Sequence, residues 1–309
     1  MTKRVVVALG GNAILQPKQA GTAENQFRAV QQTCAQLADM IKEGYQVVIT
    51  HGNGPQVGNI LLQNDEAKNI VPPFPLDVCG AQTQGFIGYM IQQSMGNLLP
   101  EQPVVSLVTQ VQVSADDPGF QNPTKPIGPF YNQDDAEKMQ AEKGWAVVED
   151  SGRGWRRVVP SPNPTAIVEK DAIAALIEKG FLVIASGGGG IPVVRTAEGK
   201  LQGVEAVIDK DLAGQRLAAD VKADVLLILT DVEAVAINFG KPEQQNLGEV
   251  TVGQVREYQR EGHFKAGSMG PKVEAACRFV EAGGQRALIA SLNNASLALA
   301  GKSGTQFTR

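Results

Sequence analysis

Short runs of β-branched and aliphatic residues recur along the chain, each bounded by glycine or polar turns: Val5–Leu9, Gln46–Thr50, Val104–Val108, Phe181–Ala185, Leu226–Thr230 and Arg286–Ala290. Runs of this length and composition predict buried strands. Between them lie longer stretches that predict helices over Ala23–Lys42, Leu76 to about Leu98, Glu169–Lys179, Asp211–Val221, Val252–Glu261 and Met269–Ala282. Strands that alternate with helices predict an α/β fold on a largely parallel sheet, because parallel neighbours need a crossover between them.

One stretch breaks this rhythm. Asp116–Pro164 is rich in proline, holds both tryptophans, and offers a hairpin made of Ala146–Asp150 and Trp155–Val159. It predicts a protruding flap or small subdomain. At 309 residues the chain is long for a single core, so two lobes or one large sheet are expected. No internal repeat or low-complexity tract is present.

The strand ends carry the first chemistry. Val5–Leu9 stops at Gly10, Gly11 and Asn12; the second strand delivers His51, Gly52, Asn53 and Gly54; a third ends at Gly187–Gly190. Ligands of open α/β sheets sit beyond the carboxyl ends of strands, and a turn without side-chain bulk can bring its N–H groups against an anion. An acceptor pocket is therefore expected from Gly10, Gly11, Asn12, Gly52, Asn53 and Gly54, with the asparagine amides as further donors. Either turn alone could be plain chain reversal. His51 is read as holding its turn by a hydrogen bond, and Gly187–Gly190 as supporting the pocket or allowing tight packing.

Composition narrows the partners. With 28 basic and 32 acidic residues the net charge is -4, and no basic stripe is available to neutralise nucleic-acid phosphates. Cys34, Cys79 and Cys277 are odd in number and far apart, so no disulfide framework or CxxC metal pair is expected. Only two histidines are present, His51 and His263, so no histidine-rich metal site is expected. No apolar stretch is long enough for a membrane helix, and the apolar run near the N-terminus reads as a strand rather than a signal peptide, so a cytoplasmic protein is expected.

Two familiar motifs fail on inspection. Gly301–Ser303 ends like a phosphate-binding P-loop, but Ser296 stands where the first glycine belongs and no following helix has room to form. Gly52–Gly58 is one residue too long for a dinucleotide fingerprint and contains Pro55.

Lysines in rigid or glycine-rich settings point instead to phosphoryl transfer, which needs cations around the moving group and little covalent work. Lys210 closes the block VIDKD, whose bland reading is a solvated turn with Asp211 as a helix cap. Lys272 follows GSMGP, where proline suits a first helical turn; it could equally be a surface lysine. Lys125 lies between Pro123 and Pro126, in a segment too proline-rich for a helix interior. Thr230 and Asp231 end the strand LLILTD and are positional candidates for a nucleotide side. Arg153, Arg156 and Arg157 beside Trp155 are read as bracing the hairpin through Glu149 and Asp150.

The ordered blocks ALGGNA, HGNGPQVG, NPTKPIGPF, GRGWRRVVPSP, GGGGIPV, GVEAVIDKD and GSMGPK together resemble the carbamate kinase family of amino-acid kinases. The resemblance runs over nearly the whole chain. It implies an αβα sandwich around a mainly parallel sheet, with an acceptor-binding lobe over residues 1–205, including a flap at about 113–164, and a nucleotide-binding lobe over 206–309. It implies a homodimeric enzyme that equilibrates ATP and carbamate with ADP and carbamoyl phosphate, with Mg²⁺ brought by the nucleotide rather than held by side chains, and used to make ATP. By the same resemblance Lys210 stabilises the transferring group, Asp209 positions neighbouring lysines, and Lys125 enters with the flap. Lys272 contacts nucleotide phosphates, with Met269 and Gly270 beside it. The alternatives are a relative with another carboxylate acceptor, or a catalytically weak binding paralogue.

Overall fold

A computed structural model describes residues 3–16, 19–150, 152, 154–264 and 268–309. Arg153 and Gly267 lie outside the described residues. A single eight-stranded sheet runs through the molecule in the order Glu249–Thr251, Thr305–Thr308, Arg286–Ser291, Val225–Thr230, Arg4–Leu9, Gln46–His51, Leu182–Ile184, Val104–Ser106. All its pairings are parallel except that of Thr305–Thr308 with Arg286–Ser291. Arg4–Leu9 sits at the centre, with Val5 in register with Val225 on one side and Val47 on the other. The two halves of the chain thus share one sheet.

Both faces of this sheet are covered, which is why its strands read as continuous apolar runs. Val6 and Ala8 pack into a core with the helices Lys170–Glu178, Lys210–Asp220 and Met269–Glu281, while Val5, Val7 and Leu9 pack into a second core with Ala23–Lys42 and Leu76–Leu98. The result is the expected αβα sandwich.

The flap is a separate three-stranded antiparallel sheet, with Trp155–Val159 between Lys125–Tyr131 and Ala146–Glu149, followed in space by the helix Gln133–Lys143. A further four-stranded sheet orders Leu201–Gly203, Ile191–Arg195, Gln110–Val113 and Pro164–Ile167 beneath it. The segment around Lys125 is the strand Lys125–Tyr131. Its prolines are tolerated because it lies at the edge of its sheet, where a missing N–H breaks no ladder.

Two helices escape the hydrophobic pattern. Gly54–Ala67 begins inside the GNGPQ turn, with Pro55 in its first turn, so its start reads as loop chemistry. Gln133–Lys143 buries only Ala136 and has no apolar stripe; it is set by Asn132, whose side chain accepts from the Asp135 N–H, and by Gly144 at φ 64°. The strand expected over Val104–Val108 ends at Ser106. Among the described residues no helix is long and apolar enough to cross a membrane.

Candidate active site

Three strand ends meet at one place. The Gly10 N–H donates to Leu229 O (3.1 Å) and the Gly52 N–H to Leu9 O (3.1 Å), so the first glycine turn is stitched to the strand Val225–Thr230 and the second to the strand Arg4–Leu9. A side chain at Gly10 would lie 3.0 Å from Leu229 O, and one at Gly52 would press on the Lys210 stem at 3.2 Å. Among the described residues no protein acceptor takes the N–H of Gly11, Asn12 or Gly54. These donors remain available to an anion.

The glycine run Gly187–Gly190 explains itself by packing. A side chain on Gly187 would collide with the His51 ring, and one on Gly188 with the Asn53 amide. His51 is fully buried; its Nδ1 donates to Gly52 O at 3.0 Å, as the turn-holding reading requires. Burial, helped by the Lys210 charge, lowers its pKa to about 4, so the ring is neutral at physiological pH. Asn53 donates to Thr83 Oγ1 at 2.8 Å, so its amide is partly spent on the fold.

The lysines converge on two aspartates. Asp209 caps the helix Lys210–Asp220, its Oδ1 accepting from the Asp211 and Leu212 N–H groups at 2.8 and 3.4 Å, while its Oδ2 accepts from Lys125 Nζ at 2.6 Å. Asp211, two residues later in the first turn of the helix, accepts from Lys210 Nζ with Oδ1 and from Lys272 Nζ at 3.1 Å with Oδ2. The cap is therefore Asp209 rather than Asp211, and Asp211 is the residue that sequence reasoning missed. Its signal was present in the DKD block, but cap and lysine bridge cannot be told apart without the third dimension.

Burial makes these charges interdependent. Desolvation alone would raise the Asp209 carboxyl, but Lys125 and then Lys210 hold it well below the usual carboxylate range. Desolvation lowers the Lys210 ammonium, Asp211 opposes the fall, and the charge of Lys272 adds to it. At Lys272 burial also pulls down, yet Asp211 outweighs it and the net direction is upward. Three ammonium groups against two carboxylates leave this cluster one positive charge in surplus.

Two cavities open on either side of it. The larger, about 400 Å³, is lined by Gly10, Asn12, Thr230, Asp231, Phe239 and Met269, among others. The smaller, about 160 Å³, is lined by Gly52, Asn53, Gly54, Lys125, Asp209 and Gly188, among others. Gly11, Lys210, Ser268 and Lys272 line both. The expected grouping is thus redistributed: of the first turn only Gly11 reaches the smaller cavity, whereas Gly10 and Asn12 face the larger one. Gly270 lies in the first turn of Met269–Glu281 and lines neither.

Comparison with known proteins fits this arrangement. The amino acid kinase family model matches residues 3–291. A carbamate kinase of Thermococcus kodakarensis is 60% identical, with 99% of each chain covered, and one of Pyrococcus furiosus is 56% identical over the same shares. The chain belongs to the carbamate kinase branch of the amino acid kinase family. The crystal structure of carbamate kinase from Giardia lamblia bound to AMP-PNP matches with a TM-score of 0.91 at 47% identity, covering 99% of this chain and 98% of that one. As a member of this family the chain is a kinase, a phosphotransferase.

In this carbamate kinase chain Arg156 and Arg157 brace the flap, Arg156 with the expected Asp150 and Arg157 with a different partner. Arg156 lies 3.4 Å from Asp150 and donates from Nε and Nη2 to Gly128 O at 3.1 and 2.9 Å. Arg157 pairs instead with Glu205 at 4.0 Å and stacks over Trp145 at 4.7 Å. Glu149 accepts from the Gly152 N–H.

Proposed function

We propose that the chain interconverts ATP and carbamate with ADP and carbamoyl phosphate, with nucleotide in the larger cavity and the carbamoyl group in the smaller. The observation that carries this reading is the wall shared by the two cavities, in which Lys210 and Lys272 stand with Gly11 and Ser268. A phosphoryl group passing between the cavities must cross that wall. There it meets two ammonium groups and the unused N–H donor of Gly11, with that of Asn12 on the nucleotide side.

The acceptor follows from the chemistry of the smaller cavity. Its two carboxylates, Asp209 and Asp211, are each engaged by lysine, so neither is free to act as a base. Carbamate is already anionic and needs none. The volume of about 160 Å³ suits carbamate better than an amino-acid chain, which would need more room. Lys210 neutralises charge that grows on the transferring oxygens, Lys272 holds the nucleotide phosphates, Lys125 covers the acceptor side, and Asp209 and Asp211 keep the three ammoniums apart.

The donor set of the site is cationic, which fits a Mg²⁺ ion held by nucleotide phosphate oxygens rather than by a cage of side chains. Bound there, the ion would neutralise phosphate charge. Asp231, facing the larger cavity beside Thr230, is the carboxylate placed to meet its water shell. We assign acceptor binding mainly to residues 1–205 and nucleotide binding mainly to 206–309, with Gly10–Asn12 and Asp209–Asp211 crossing that division, operation in the direction of ATP synthesis, and a homodimer joined near the exposed Tyr89 and Val108 beside the edge strand Val104–Ser106.

The test is ATP formation from carbamoyl phosphate, ADP and Mg²⁺. Wild-type protein should produce ATP, and Lys210→Ala should lose on the order of 10²-fold or more in turnover while still folding. Near-normal turnover in that variant would sink the role of Lys210; no ATP from folded wild type would turn the search to other carboxylates.

A further inference from the structure

Among the described residues the flap sheet forms no hydrogen-bonded ladder with the main sheet or with the four-stranded one. Its position over the site therefore depends on contacts made by side chains and by single backbone groups. At its base the Val207 N–H donates to Pro160 O at 2.9 Å, and Ile127 and Val159 join Val57, Leu76, Cys79 and Val207 in a small core of their own. At the active site Lys125 reaches Asp209. A further attachment lies where Lys143, the last residue of the helix Gln133–Lys143, pairs with Asp65 on the helix Gly54–Ala67, the same helix whose Gly58 packs against Gly128 of the flap.

Asp65 is more than a casual surface partner. It holds two ammonium groups at once, Lys143 and, at 3.0 Å, Lys68 on its own helix. Its side chain is 26% exposed and that of Lys143 is 22% exposed, so water screens this pair less than a fully exposed one. Lys143 also overlies the Trp145 ring at 4.9 Å, the same ring on which Arg157 stacks. The two lysines hold the Asp65 carboxyl below its ordinary range, against desolvation, so it stays ionised wherever the enzyme would work. The helix that carries Asp65 starts at Gly54, on the acceptor cavity.

We propose that Asp65 is a positioning residue, which through Lys143 latches the flap to the helix Gly54–Ala67 and so keeps Lys125 at the acceptor cavity. A three-stranded sheet held at its base, along Gly58 and at Lys143 cannot tilt without moving the strand that begins at Lys125. Releasing Lys143 loosens one of these holds and lets the flap populate tilted states in which Lys125 is withdrawn. The nucleotide cavity, which the flap does not line, is untouched.

The kinetic side of this proposal rests on the carbamate kinase reading; the motion itself can be followed without it. Both tryptophans of the chain, Trp145 and Trp155, lie in the flap, so fluorescence excited selectively at tryptophan reports on this element alone. Asp65→Asn and Lys143→Gln should each raise acrylamide quenching of the tryptophans. Each should also lower kcat/KM for carbamoyl phosphate roughly threefold to tenfold, with the KM for ADP changed by less than about twofold. The double variant should be no worse than either single one, because the two side chains act as a pair.

Thermal unfolding of each variant separates a folding defect from a latch effect, and Asp65→Asn, which leaves the Lys143 side chain in place beside Trp145, gives the quenching result free of a direct change at the ring. Additive losses, an equal rise in the KM for ADP, or quenching unchanged from wild type would each overturn the proposal. If wild type made no ATP from carbamoyl phosphate, the substrate reading would fail, and the quenching and double-variant comparison would still decide the latch.

Discussion

Gly58 is a sharp test of how the flap is seated. It lies buried in the helix Gly54–Ala67 against Gly128 of the flap, and a Cβ added there would overlap the Gly128 N and Cα atoms and stand 3.2 Å from its carbonyl carbon. Gly128 cannot step aside easily. Its φ of +74° suits glycine, and Arg156 grips its carbonyl oxygen with two N–H groups. To restore ordinary carbon–carbon contact of ~3.5–4.0 Å, the strand Lys125–Tyr131 must shift by roughly 1–2 Å.

Two effects then compete in Gly58→Ala. Alanine stabilises a helix interior by about 1 kcal/mol over glycine, whereas overpacking costs about 1–3 kcal/mol, so the net change in stability should be a loss no larger than about 2 kcal/mol. Activity should suffer more. The 2.6 Å contact from Lys125 to Asp209 would open with the shift, and misplacement on the order of 1 Å can cost about 10²-fold, so kcat for ATP formation should fall roughly 10- to 100-fold. Gly96→Ala, in the helix Leu76–Leu98 with nothing within 4 Å of the added carbon, is the control: slightly more stable and equally active. Wild-type turnover together with a raised Tm in Gly58→Ala would refute the reasoning, because it would mean that the flap yields at no cost to the site.

Other outcomes follow from the same geometry. Asp211→Asn removes the buried carboxylate that holds Lys210 and Lys272, leaving their ammoniums to repel each other; it should cost about 3–5 kcal/mol of stability by denaturant unfolding and abolish most turnover, whereas stability within about 1 kcal/mol of wild type would show that the bridge is dispensable. His51 is buried neutral, with its pKa lowered from 6.5 to about 4, so the unfolded chain binds its proton first as pH falls. The stability it lends is full above pH 6.5 and should decline by up to about 1.4 kcal/mol per pH unit until about pH 4, a slope that guanidinium unfolding of wild type should show and a folded His51→Gln variant should lack.

Strands of the main sheet and the longer helices were legible in the chain because each is buried on a face, or on both faces, that the residue pattern records. Ala23–Lys42 and Leu76–Leu98 have the bounds that their sequences predict. Elements with little buried surface were not legible: Gln133–Lys143 is helical through its caps, and Lys125–Tyr131 is a strand because a partner strand lies beside it. The site divides in the same way. Glycine turns at strand ends and the lysines Lys125, Lys210 and Lys272 announce themselves by type and by local setting, and the ordered blocks name the family. Which of Asp209 and Asp211 caps a helix and which bridges two lysines, which turn faces which cavity, and how Asp65 meets Lys143 depend on residues far apart in the chain. Local chemistry can specify that a cation or a turn is present; only the packed sheet decides which charge it meets, because burial and distance set the energy of every such pair.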